Sequence, residues 1–138
     1  MKKKIAILGS TGSIGKTLIE IIKKDKKNFE VVLLSADENY KELLKQAKIF
    51  KVKNIIINNK NSYNKVKKNK ISNKTKIFNN FDCYKEIFRK KVDYTMSSIS
   101  GIEGLKPTIE IIKYTKNIAI ANKEAIICGW NLIDKELK

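Results

Sequence analysis

Eleven residues near the start of the chain, Ile7-Leu8-Gly9-Ser10-Thr11-Gly12-Ser13-Ile14-Gly15-Lys16-Thr17, have the composition of a phosphate-binding turn. Three positions without side chains let backbone amides approach an anion closely, and the hydroxyls of Thr11 and Ser13 can donate to phosphate oxygens. Two mechanisms compete for this run. A triphosphate-binding loop needs Gly, four residues, then Gly-Lys-Ser/Thr, so that successive amides wrap the β-phosphate and the lysine reaches the γ-phosphate. Gly15-Lys16-Thr17 supplies the end of that pattern, but the first glycine should stand at position 10, which is Ser10. Gly9 comes one residue early, and an extra residue in a wrapping loop redirects its amides. A dinucleotide-binding turn instead follows the first strand and opens the first helix, where terminal amides and the helix dipole meet a pyrophosphate. The spacing Gly9-x-x-Gly12-x-x-Gly15 differs from the usual G-x-G-x-x-G, but its context fits, and Lys16 becomes an exposed helix residue.

Two more polar groups fall where such a site would use them. About twenty residues on, where the adenosine ribose sits in dinucleotide-binding folds, comes Ser35-Ala36-Asp37-Glu38-Asn39. Asp37 can accept from a ribose 2′-OH, whereas a 2′-phosphate would meet two carboxylates; capping of the next helix explains Asp37 and Asn39 equally well. Near the far end, the buried run Ile118–Ala121 leads into Asn122-Lys123-Glu124. Asn122 can cap a helix, Lys123 can bind an anion, and Glu124 suits a helix N-terminus. The glycine turn and this triplet should face one crevice beyond the carboxyl ends of the strands.

The elements that must position these groups alternate. Short β-branched runs at Ile5–Leu8, Val31–Ser35, Ile55–Ile57, Val92–Met96 and Ile118–Ala121 read as strands. Helical spacing connects Ile14, Leu18, Ile21 and Ile22, then Tyr40, Leu43, Leu44, Ala47 and Phe50. Further helices fit Cys83–Phe88, Leu105–Tyr114 and Glu124 onward. The class is therefore α/β: a Rossmann-like, doubly wound, mostly parallel sheet with helices on both faces. Between Lys51 and Asn80, 18 of 30 residues are lysine or asparagine, which suggests surface helix and loop, with Ile55–Ile57, Ile71 and Ile77–Phe78 as buried positions. Pro107 falls in the first turn of its helix, where a missing N–H is harmless.

Composition excludes more than it selects. A 138-residue chain holds one domain with a real core. No segment is apolar for long enough to cross a membrane. Two cysteines far apart and no histidine argue against a zinc site or a disulfide framework, and suggest reduced cytoplasmic thiols. The charge of +16 raises nucleic acid as a partner, but 29 of the 30 basic residues are lysine, and direct base readout leans on arginine. Lysine, isoleucine and asparagine make up 66 residues, all encoded by A/T-rich codons, so the charge is background.

Three stretches together resemble one family. GSTGSIG at Gly9–Gly15, SISGIEGLKPT at Ser98–Thr108, and ANKE at Ala121–Glu124 followed by Cys128-Gly129 are similar to 1-deoxy-D-xylulose 5-phosphate reductoisomerase in order and spacing. The resemblance implies a cytoplasmic oxidoreductase of non-mevalonate isoprenoid biosynthesis. That enzyme isomerises and reduces 1-deoxy-D-xylulose 5-phosphate to 2-C-methyl-D-erythritol 4-phosphate with NADPH and a divalent metal, Mg or Mn, and is typically a homodimer. It implies further that Thr11, Gly12, Ser13, Ile14, Asn39, Asn122 and Glu124 contact the coenzyme and that Lys123 contacts the sugar phosphate. No catalytic or metal-binding residue is expected within 1–138, which is expected to be an NADPH-binding domain ending before the metal-binding, catalytic part. The isolated chain is then expected to turn over no substrate. Where the family has a small and often a basic residue, this chain has Asp37 and Glu38, so a relaxed NADPH preference is expected. A P-loop-like nucleotide-binding protein is the alternative.

Overall fold

Strands with apolar side chains on consecutive residues need cover on both faces of a sheet. The computed structural model, which describes residues 1–68 and 74–138, supplies that cover. In chain order the elements are β1 (Lys3–Leu8), α1 (Ser13–Lys23), β2 (Phe29–Ala36), α2 (Tyr40–Phe50), β3 (Asn54–Ile57) and α3 (Lys60–Lys68). There follow β4 (Lys76–Phe78), α4 (Tyr84–Ile87), β5 (Val92–Ser97), α5 (Leu105–Ile111), β6 (Thr115–Ile120) and α6 (Lys123–Leu137). Short 3-10 turns at Phe81–Cys83, Ile102–Gly104 and Ile112–Tyr114 join some of them.

The sheet order is β4-β3-β2-β1-β5-β6, and every pairing is parallel. The expected α/β, Rossmann-like class holds, and among the described strands the sheet is wholly rather than mostly parallel. The chain winds outward from β1 to β4, then restarts on the other side of β1 with β5. A crevice therefore opens at the carboxyl ends of β1 and β5, where the winding reverses.

One face of the sheet packs Ile5, Ile7, Val31, Leu34, Ile55 and Ile57 against Ile19 and Ile22 of α1, Leu43 and Ala47 of α2, and Val66 of α3. The other packs Ala6, Leu8, Leu33 and Ile56 against Cys83, Tyr84, Phe88 and Ile111. Strict alternation along β2 fails at one point, because Ile5 pairs with Val31 but Ala6 pairs with Leu33. Val32 is the extra residue of a β-bulge, which lets Val31 and Leu34 serve the same face.

The lysine- and asparagine-rich segment folds as α3 and the edge strand β4. Val66 is buried there, Ile77 and Phe78 are half-buried, and Ile71 lies outside the described residues. Three residues with an exposed lysine make a short, charged edge, which discourages pairing with another chain. Pro107 is the third residue of α5, and its carbonyl accepts from the Tyr84 hydroxyl at 3.2 Å.

Parallel topology also sorts charge. Among the described residues, the connections from a helix back to a strand lie at the amino-terminal rim of the sheet. Lys2–Lys4, Lys23, Lys24, Lys26, Lys27, Lys51, Lys53, Lys90, Lys91 and the single arginine, Arg89, gather on that rim. Cations at helix C-termini suit the macrodipole. Among the described residues no helix is long and apolar enough to cross a membrane.

Candidate functional site

The three glycines of the opening turn are glycine for different reasons. Gly9 has φ +75°, and a Cβ there would lie 2.8 Å from the Ser98 carbonyl oxygen and 2.9 Å from the Ile99 nitrogen. The loop leaving β5 presses on this residue and is stitched to it. Ser98 donates its N–H to the Leu8 carbonyl (2.9 Å) and its hydroxyl to the Leu8 and Gly9 carbonyls (2.8 and 3.1 Å). Gly15 lies so close to the turn that a Cβ would sit 2.6 Å from the Ser10 Cα. Its missing side chain thus seats α1 on the turn backbone. Gly12 differs, since a Cβ there would meet only the Gly9 oxygen at 3.6 Å, an ordinary contact. The fold does not require glycine at position 12, and the space a side chain would take belongs to the cleft.

Gly12 is also the N-cap of α1 and provides no side-chain hydrogen bond; the first turn of that helix carries no acidic residue. The leading amides at Ser13 and Ile14 are therefore without a side-chain acceptor from the cap, which is the arrangement an anion can complete.

Beneath the turn lies a buried polar clamp. Ser10, Ser35 and Gln46 are at most 1% exposed. The Ser35 hydroxyl accepts from the Gly9 N–H (2.9 Å), and the Ser35 carbonyl accepts from the Ser10 N–H (2.9 Å). From α2, Gln46 accepts from the Ser10 hydroxyl (2.7 Å) and donates to the Ser10 carbonyl (3.0 Å). The turn is thereby fixed to β2 and α2 by groups sealed from water. Sequence reading missed Gln46, whose partners lie 36 residues away.

Above the turn is a cleft of about 270 Å³. Its walls are Gly9, Thr11 and Gly12, the end of β2 at Ala36 and Asp37, Asn58 after β3, Phe81, and Ser98, Ile99, Ser100 and Glu103 after β5. Thr11 and Gly12, both expected site residues, stand on this wall. Ser13 and Ile14 follow on the exposed first turn of α1, with Ile14 48% exposed despite its apolar side chain. Asn58 and Phe81 had no sequence motif to single them out, and Glu103 lay within the Ser98–Thr108 run without being expected at the site.

The other expected residues occupy the same end of the sheet without lining the cleft. Asn39 caps α2, its side-chain oxygen accepting from the Glu42 N–H at 3.3 Å. Asn122 is 4% exposed and caps α6 by accepting from the Ala125 N–H at 3.1 Å. Its amide nitrogen donates to the carbonyls of Ile99 and Gly101, both at 2.5 Å. It thus works from behind, tying the cleft-lining 99–101 loop to α6. A Cβ on Gly104 would fall 2.7 Å from that same amide nitrogen. Lys123 and Glu124 are exposed on the first turn of α6.

Lys16 is exposed on α1, and the Thr17 hydroxyl donates to the Ser13 carbonyl at 3.0 Å, an ordinary helical back-bond. Neither residue is arranged as a triphosphate loop requires. Burial pushes the Cys83 thiol up to about 11 and the Tyr84 phenol well above its ordinary value, both in the core beside α5 rather than at the cleft. Among the described residues no group of three or more His, Cys, Asp or Glu could hold a metal ion.

Comparison with known proteins places this geometry. The family model described as 1-deoxy-D-xylulose 5-phosphate reductoisomerase matches residues 5–129. The chain is 59% identical over 138 residues to the protein of that name from Pelagibacter ubique, covering 99% of this chain and 36% of the relative. It is 38% identical over 144 residues to the one from Clostridium acetobutylicum, covering 99% and 36%. Among solved structures, the reductoisomerase from Zymomonas mobilis in complex with NADPH superposes with a TM-score of 0.89 at 29% identity, over 99% of this chain and 36% of that one. A reductoisomerase in complex with NADPH, fosmidomycin and magnesium gives 0.87 at 27% identity, over 98% and 34%. The chain thus spans about a third of the length of the relatives it matches.

Proposed function

This chain belongs to the 1-deoxy-D-xylulose 5-phosphate reductoisomerase family, and from that premise we propose that residues 1–138 form the NADPH-binding unit of a reductoisomerase. The observation that carries the reading is Gly12, whose bareness serves the cleft and not the fold. A pyrophosphate is the group that calls for it: an anion of two bridged tetrahedral phosphates that must come within hydrogen-bonding distance of helix-terminal amides. In this reading Thr11 donates its hydroxyl and Ser13 and Ile14 their amides to the phosphates, Gly12 lets the anion approach by lacking a side chain, and the half-exposed Ile14 gives an apolar wall. Asn39 fixes the start of α2 at the adenosine end. Asn122 holds the 99–101 loop in place, and Glu124 contacts the coenzyme from the first turn of α6.

When bound, NADPH supplies the hydride for reduction of a sugar-phosphate carbonyl. Lys123 is the chain's group for that substrate, its ammonium orienting the oxygens of 1-deoxy-D-xylulose 5-phosphate. The divalent cation, Mg or Mn, and the residues that rearrange the carbon skeleton belong to the part of the enzyme that the relatives have in addition. The homodimer and the cytoplasmic setting of the non-mevalonate route belong to the whole enzyme as well. Phosphate chemistry at the turn also admits a nucleoside triphosphate, but the exposed Lys16 and the back-bonded Thr17 oppose it.

Fluorescence titration of the chain with NADPH, and in parallel with Mg-ATP, tests this. NADPH is expected to bind and Mg-ATP to bind weakly or not at all. Gly12→Ala should weaken NADPH about tenfold or more, because a methyl displaces a charge-assisted contact, while the melting temperature stays within about 2 °C, as at a permissive site. Gly15→Ala should lower the melting temperature sharply, since its Cβ collides with backbone. Full NADPH affinity in Gly12→Ala, or preferred binding of Mg-ATP, refutes the proposal.

A further inference from the structure

One wall of the cleft is the segment that leaves β5, which reaches it through Ser98, Ile99, Ser100 and Glu103. Side chains grip this segment along its length. At its start the Ser98 hydroxyl holds the Leu8 and Gly9 carbonyls. In its middle Asn122 donates to Ile99 and Gly101, and the Gly101 carbonyl also accepts from the Gly104 N–H (3.2 Å). Its end, Gly104, is held by two hydroxyls, one on β5 and one on α5.

These are Ser97 and Thr108, both 0% exposed. Their oxygens lie 2.6 Å apart, and Thr108 also reaches the Gly104 carbonyl at 2.6 Å. A carbonyl only accepts, so the Thr108 proton is committed to Gly104 and Ser97 is the donor to Thr108. The relay therefore runs one way, from the sheet through α5 to the last residue of the wall. Ser97 is a firm origin: it stands in register with Leu8 of β1 and Ile120 of β6, and its carbonyl accepts from the Ala121 N–H at 2.9 Å. At the other end Gly104 is hemmed in, since a Cβ there would lie 2.7 Å from both the Asn122 amide nitrogen and the Ile99 carbonyl oxygen. A shift of Gly104 is thus passed to Asn122, and through it to Ile99 and Gly101. A binding wall must stand within about 0.5 Å of its working place. A gap of about 0.5–1 Å already forfeits a quarter to a half of a dispersion contact.

We propose that Thr108 is a positioning residue for the coenzyme: its hydroxyl, backed by Ser97, sets where the 98–104 wall stands over the phosphate turn. The inference rests on the coenzyme reading given above and adds to it a residue sealed from the cleft. The test separates the hydroxyl from the stability of the domain. Thr108→Val keeps the volume and removes the hydroxyl, whereas Thr108→Ser keeps the hydroxyl and removes a buried methyl. Both should melt about 3–5 °C below the native chain. NADPH titrations of the chain, made well below either transition, should nonetheless differ. Thr108→Val should bind about fivefold more weakly, the worth of one neutral hydrogen bond, and Thr108→Ser within about twofold of native. Ser97→Ala should weaken binding in the same direction, because Thr108 then lacks its donor. Thr95, two residues before Ser97 on the same face of β5, supplies the control. Its hydroxyl is buried with no hydrogen-bond partner among the described residues, so Thr95→Val should keep native affinity.

Native affinity in Thr108→Val overturns the proposal, as does a loss in Thr108→Ser or Thr95→Val as large as that in Thr108→Val. If Thr108→Val does not fold, Ser97→Ala decides alone, and native affinity there refutes the relay. A native chain that binds no NADPH would defeat the coenzyme reading itself, and this inference with it. NADPH bound equally by the native chain and by Thr108→Val would leave that reading intact and sink this one alone.

Discussion

Gln46 offers the sharpest check on how the turn is held. Replacing it by leucine keeps helix propensity and volume but deletes the acceptor of the Ser10 hydroxyl (2.7 Å) and the donor to the Ser10 carbonyl (3.0 Å). The Ser10 hydroxyl keeps one longer alternative, the Ser35 carbonyl at 3.3 Å, so its loss is partial. A buried polar group deprived of its partner costs about 1–3 kcal/mol, and one partial and one direct loss come to about 2–3 kcal/mol. For a domain of this size that lowers the melting temperature by about 6–12 °C. Thermal unfolding followed by circular dichroism measures it, and a double-mutant cycle with Ser10→Ala isolates the pair, with a coupling of about 1 kcal/mol expected. NADPH affinity, measured well below the transition where the chain is fully folded, should fall as well, because Ser10 precedes Thr11 and Gly12 directly. A stability loss under about 0.5 kcal/mol, in the range of ordinary surface substitutions, would refute the reasoning. So would zero coupling: the clamp would then be an ornament of the packing.

Two more outcomes follow from titrating groups away from the cleft. Asp93 joins three strands, accepting from Lys116 Nζ (2.8 Å) and from the Lys4 N–H (2.9 Å), and the Lys116 hydrogen bond holds its carboxyl below the ordinary 3.8. A lowered value means that the ionised form favours the folded state. The contribution is therefore present above the ordinary value and is lost as the pH falls through the lowered one. Native chain should melt above Asp93→Asn near neutral pH, and the two curves should converge in acid; a gap that persists in acid contradicts the assignment. Iodoacetamide should modify the exposed Cys128 in the native chain and spare Cys83, which is buried with its thiol pushed up to about 11. Intact mass should show one adduct natively and two in denaturant, and two native adducts formed at equal rates would be the contrary result.

The parts of this molecule that sequence reveals are those where neighbours in the chain are neighbours in space. The glycine turn was readable because strand, turn and helix follow one another, and each strand but β4 carries its own apolar run. Gly12's role could be guessed from the motif, but its difference from Gly9 and Gly15 could not, because their collisions involve the loop after β5 and the backbone of Ser10. α3 shows no apolar stripe, since among its buried residues only Val66 is apolar and the other is Ser62. β4 is too short to alternate. Gln46 stands on the inner stripe of α2 beside Leu43 and Ala47, where hydropathy marks it as a misfit and only the distant Ser10 explains it. Asn122 was legible as a cap, which it is, but its hold on Ile99 and Gly101 depends on a loop some twenty residues earlier.

The sorting of lysines to one rim means that this protein has a front and a back. β1 has 6 residues and so spans about 20 Å, roughly twice the screening length at physiological ionic strength. The charge gathered on that rim is therefore out of earshot of the cleft, and a coenzyme gains little capture speed from it. A cation-exchange bead, by contrast, should grip the molecule by its back and leave its mouth toward the solvent. Protein held on such a resin should keep exchanging nucleotide.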